Sequence, residues 1–164
     1  MLKLRHSSLV VISGMLWLGI GVFLLQLGLN LLMTAIAPRA NMEAYPLLKA
    51  MSSLTGEIEQ AIMVVITLGL LVGYFKGKYA LGKSVQRVVA RIKTLPNPVS
   101  PTRMYGRAYY ILIGLMILLG ISMRVFGLAN DIRGAVDVTV GAALINGAFN
   151  YFRVAYVMRT QHAS

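Results

Sequence analysis

The sequence predicts an all-α integral membrane protein with four transmembrane helices and both termini on the cytoplasmic side. Three observations carry this. Of 164 residues, 57% are hydrophobic and only 13% charged, with a mean hydropathy of +0.72, whereas soluble domains carry about 25% charged residues. The apolar residues gather into four runs, and a helix needs roughly 20 such residues to cross a hydrocarbon core. Most of the cations lie in one loop and at the two ends, whereas all five acids lie in or beside the other two loops, the asymmetry that orients a membrane protein.

The first segment, about residues 9–36, contains no charged side chain between Ser7 and Pro38. A cleaved secretory leader is the competing reading, because Lys3 and Arg5 precede the run and Ala35-Ile36-Ala37 resembles a cleavage site. The run is about twice the length of a usual leader core, and Pro38 would follow the cut, so a spanning helix is the better reading. The second segment, about 57–79, has an uncharged centre from Gln60 to Phe75 that is short for a span. Lys76 and Lys78 extend it by lifting their ammonium groups to the interface. Thr55 is placed to cap this helix, with Glu57 near the positive end of its dipole.

The third segment, about 107–129, is apolar except for Arg124 near its end. The fourth, about 134–156, runs through Val136–Phe152 to Arg153. Tyr109, Tyr110, Tyr151 and Phe152 fall at depths expected of interfacial aromatics.

Orientation follows from the loops. Lys76, Lys78, Lys83, Arg87, Arg91, Lys93, Arg103 and Arg107 share one stretch without an acid, and the ends add Lys3, Arg5, Arg153 and Arg159. Glu43, Glu57, Glu59, Asp131 and Asp137 all lie in or beside the other two loops. The basic side is retained inside, which places the chain in a plasma membrane, the inner one if the cell is a Gram-negative bacterium. The net charge of +11 is then a membrane signature, and no nucleic acid is expected as a partner.

The central stretch 80–106 is more than a connector. Lys76, Lys83, Arg87 and Arg91 recur at helical spacing opposite Leu81, Val85, Val88, Val89 and Ile92, the pattern of a basic amphipathic helix on a membrane surface. Each such cation near anionic lipid headgroups contributes about 1 kcal/mol of attraction. The run Pro96-Asn97-Pro98-Val99-Ser100-Pro101 ends it, since proline lacks the amide donor. In the outer loop, Tyr45, Leu47, Leu48, Met51 and Leu54 with Pro46 at a first turn predict a short interfacial helix.

The chain also suggests an internal duplication into two parallel-repeat helical hairpins. At an offset of 72, Val64, Thr67, Gly69 and Tyr79 fall on Val136, Thr139, Gly141 and Tyr151; at 100, Gly14, Leu18 and Asn30 fall on Gly114, Leu118 and Asn130. Such halves would be related by an axis along the membrane normal; four unrelated apolar helices are the alternative.

Polar groups inside the bilayer are the candidate functional residues, because a charge there costs at least about 2.5 kcal/mol. Arg124 and Asp137 flank Asp131 at seven and six residues, so an antiparallel pair brings them to similar depth as ion-pair partners. Thr139, Asn146, Asn150 and Arg153 fall within roughly a 60° sector of one helix, either a polar path or interhelical glue. Gly69, Gly73 and Gly77 form two GxxxG steps, a helix-packing ridge within or between subunits.

The chain has no cysteine and only two histidines, His6 and His162, close to its ends. No phosphate-binding glycine loop, zinc spacing or catalytic triad is present, so no enzyme activity, cofactor or metal is expected. The remaining expectation is a homo-oligomeric transporter or channel for a small ion or polar solute. The alternative is a non-catalytic scaffold or accessory subunit that binds anionic lipid or partner proteins.

Overall fold

A computed structural model describes residues 6–37, 41–81 and 107–160, together with Gln86 and Ala90. All regular structure among them is helical. Helix α1 spans His6–Met33 and ends in a 3-10 turn, Thr34–Ile36. After a second 3-10 turn at Met42–Ala44 come α2, Pro46–Thr55, and α3, Ile58–Lys76, which continues into a π-helical turn at Gly77–Leu81. Helix α4 spans Arg107–Val125 and α5 spans Asn130–Thr160. Three stretches are long and apolar enough to cross a membrane: Val10–Ile36, Ile58–Tyr79 and Asn130–Met158. The apolar part of α4 among the described residues, Met116–Val125, is shorter.

Local chemistry sets most of the boundaries. Pro46 opens α2 at its first turn, where its missing amide has no partner to lose. Thr55 does not cap α3: its hydroxyl turns to the carbonyls of Met51 and Glu57, and Glu57 occupies the N-cap position, its carboxylate accepting from Gln60 Nε2 at 3.2 Å rather than from a helix amide. The residue expected to start one helix therefore finishes the preceding one. Helix α4 closes at Gly127, whose φ of 63° suits a residue without a Cβ. Leu128 N–H bonds Met123 O at 3.1 Å and Gly127 N–H bonds Arg124 O at 3.2 Å, the paired bonds of a Schellman stop. Helix α5 begins at Asn130, one turn earlier than the apolar pattern suggests.

Helix α5 is the centre of the molecule, packed against α1 on one side and α3 on the other. Along α1, Gly14 faces Tyr151 and Phe152, Gly21 faces Gly141 and Ile145, and Gly28 faces Gly134 and Val138. The two helices are thus antiparallel, with glycines at seven-residue spacing on both. A methyl group at Gly28 would sit 2.7 Å from Gly134 O, and one at Gly141 2.7 Å from Gly21 O, so the backbones touch where side chains would otherwise intervene. In a bilayer, where apolar burial between helices gains little, such close approach and its dispersion contacts drive association.

Two apolar clusters flank this seam. Val10, Trp17, Leu144, Ala148, Tyr151, Ala155 and Met158 form one; Leu32, Tyr45, Leu48, Ala61, Ile62, Val65 and Val138 form the other, under α2. Among the described residues, α4 sets Ile113 and Met116 against the first of these clusters and buries Met123, while its Gly114 and Gly120 have open space where a side chain would begin.

Under the duplication, α4 would close on α3 as α1 closes on α5; among the described residues no comparable α3–α4 seam is found. The reason lies in the residues: Gly21 and Gly28 of α1 correspond to Ile121 and Leu128, whose bulk forbids the same approach. Lys83, Arg87, Arg91 and the proline run lie outside the described residues.

Candidate functional site

The helix-packing ridge is the simplest element to place. Gly69 lies against Val138 and Thr139, Gly73 against Thr139, Ala142 and Ala143, and Gly77 against Ala143 and Asn146. Both series rise together, so α3 and α5 run parallel, and the ridge is a contact within the chain. Where this ridge ends, α3 passes into its π turn. A change from α to π bonding displaces carbonyls from their usual partners. Here the Gly77 amide is shared between Gly73 O and Tyr74 O, and Asn146 donates its Nδ2–H to Tyr74 O at 2.8 Å. Asn146 thus satisfies a carbonyl of the neighbouring helix at the point where that helix widens.

This contact divides the polar stripe of α5. Thr139 is half-buried and donates its hydroxyl to Ala135 O at 2.7 Å. Asn146 faces α3, Asn150 is half-buried, and Arg153 is exposed. The four do not form one continuous lining, because Asn146 is bonded into the α3–α5 seam.

Arg124 and Asp137 are not an ion pair. Arg124 sits exposed in the last turn of α4, and among the described residues the ion pair within 4 Å is Lys49–Glu43, at 3.8 Å on the surface. Equal sequence distance from Asp131 gives equal depth but not proximity, because depth along a helix does not fix the direction in which a side chain leaves it. The cation acting on Asp137 is Arg133, one turn earlier on α5.

Asp137 instead lines a cleft of about 330 Å³ between α4 and the α1–α3–α5 group. Its walls are mainly apolar: Trp17 and Leu24 from α1, Met116, Leu119 and Met123 from α4, and Val136, Val140 and Leu144 from α5. Three side chains bring polarity to it, the Asp137 carboxylate, the Thr139 hydroxyl and the Lys76 ammonium. Because Gly73 lies beside Thr139 and Ala142, Lys76 falls about seven residues further along the bundle than Asp137, roughly 10 Å at 1.5 Å per residue. The cleft thus has an acidic end and a basic end.

One polar residue of structural weight was not singled out by sequence reasoning. Asp131 is completely buried. Its Oδ2 accepts the Leu48 amide at 3.0 Å and its Oδ1 accepts the Ile132 amide at 2.8 Å. Leu48 is the third residue of α2, whose N-cap, Tyr45, offers no side-chain acceptor. One carboxylate therefore caps α2 from 83 residues away while sitting at the positive end of the α5 dipole. The available signal was an acid in a helix first turn; its distant partner has no sequence mark.

No family model, no curated protein and no solved structure matches this chain. The class that the fold defines is an all-helical protein with three helices long and apolar enough to cross a membrane.

Proposed function

We propose that the chain crosses the membrane four times, with α4 as the third span, and acts as a transporter whose solute site is the α4–α5 cleft. The observation that carries this reading is Asp137, an acidic side chain within a stretch long and apolar enough to cross a membrane, lining a cavity of about 330 Å³. An ionisable residue inside the bilayer is costly, and those that persist there characteristically serve ions or solutes. The volume lies within the usual range of ligand sites, about 300–1,000 Å³. A transport cycle also needs one part to move against another. In this reading α1, α3 and α5 form the fixed part, and α4, joined to α5 through Gly127, is the part that moves. The path differs from the one the α5 stripe suggested, since Asn146 belongs to the packing.

A scaffold role loses one of its two supports, because the Gly69–Gly73–Gly77 ridge is occupied within the chain. The test is solute flux into proteoliposomes containing the purified protein. Asp137→Asn is expected to reduce flux at least tenfold, with melting temperature and size-exclusion profile unchanged. Flux equal to that of the parent chain would remove Asp137 from the path.

A further inference from the structure

We propose that the ligand of the α4–α5 cleft is an amphipathic monocation, an apolar body carrying a single amine or quaternary nitrogen, held with its nitrogen at Asp137. The inference rests on the transport reading for its purpose and names the chemical class of the solute. A bare inorganic cation is poorly served here. Such an ion needs several oxygen ligands to replace its water, and the cleft offers the Asp137 carboxylate and the Thr139 hydroxyl, whose proton is already given to Ala135 O. Everything else within reach is hydrocarbon or aromatic: Trp17, Leu24, Met116, Leu119, Met123, Val136, Val140 and Leu144.

An apolar body gains from contact with those walls in proportion to the area it removes from water. The indole of Trp17 also lines the cleft, an aromatic system of the kind that attracts an organic cation. Lys76 does not reverse the sign of the site. It stands exposed in the last turn of α3 on a long, flexible stem, free to reach the interface, whereas Asp137 has a short side chain half-buried in the wall. The charge fixed inside the cleft is therefore that of Asp137, with Arg133 one turn earlier on α5 outside the lining, and one carboxylate among apolar walls matches one positive group on an apolar body. A singly charged ligand with one apolar end meets both conditions.

Trp17 supplies the measurement, because it is the single tryptophan of the chain and lines the cleft. The purified full chain in detergent is titrated with phenylpropyl-trimethylammonium and with its neutral isostere, in which carbon replaces the nitrogen. A saturable change of Trp17 fluorescence is expected with the cation, and binding at least tenfold weaker with the isostere. In Asp137→Asn the Kd for the cation should rise about tenfold or more, the range of a hydrogen bond or contact to a charged group. Equal affinity for the cation and the isostere overturns the inference, and this arm needs no variant and so no assumption about folding. An unchanged Kd in Asp137→Asn overturns it equally. The two readings fail separately. Asp137-dependent flux of potassium or ammonium with a silent Trp17 sinks the amphipathic cation and leaves transport standing. Binding as described, with no flux of the amine into proteoliposomes, keeps the cation site and sinks transport.

Discussion

At the scale of single residues, the two aspartates of α5 have opposite roles. Asp131 is sealed and fully bonded, holding α2 over the Leu32–Val65 cluster; Asp137 faces a cavity. Replacing Asp131 with alanine leaves the Leu48 amide without its acceptor, a loss of about 1–3 kcal/mol for a buried group. Asp131→Ala is therefore expected to lower stability by that amount in an SDS unfolding titration, with Asp131→Asn in between because its amide oxygen still accepts one bond. A titration that places Asp131→Ala level with the parent would refute the capping role. Sequence reading found Asp137 and missed Asp131 for a physical reason. Cost in lipid depends on depth, which the chain order gives, whereas a tertiary cap depends on which distant amide lacks a partner.

At the scale of elements, glycine spacing decides which helices meet. The GxxxG steps of α3 were legible because four-residue spacing marks one helix face on its own. The heptad seam between α1 and α5 was not, since Gly21 and Gly28 acquire meaning only beside Gly134 and Gly141. The duplication, plausible residue by residue, pairs Gly21 and Gly28 with Ile121 and Leu128, so the small residues of the α1–α5 seam have no counterpart in α4. Introducing leucine at Gly21 or at Gly28 should force α1 off α5 and lower the melting temperature in detergent by several degrees or more. The same change at Gly19 or Gly120, where nothing lies within 4 Å of a new Cβ, should leave it nearly unaltered. Equal effects at all four positions would count against the seam.

At the scale of the whole molecule, composition and run length made the helical membrane class legible, while the number of crossings rests on α4. The absence of native cysteine makes this testable without background. Single cysteines at Ser100 and Ser164 should be shielded from an impermeant thiol reagent in intact cells, and one at Ser53 in α2 should react. Labelling of Ser100 from outside would invert the arrangement. The α1–α5 seam has a further consequence, for the order in which the protein is made. Gly28 and Gly134 touch although 134 − 28 = 106 residues separate them. At about 5–20 residues per second, the ribosome needs roughly 5–20 s to supply the second half of that contact. Through that interval the glycine face of α1 is unmatched, so the bundle closes only after synthesis has reached α5, and a stalled nascent chain exposes that face to any other helix nearby.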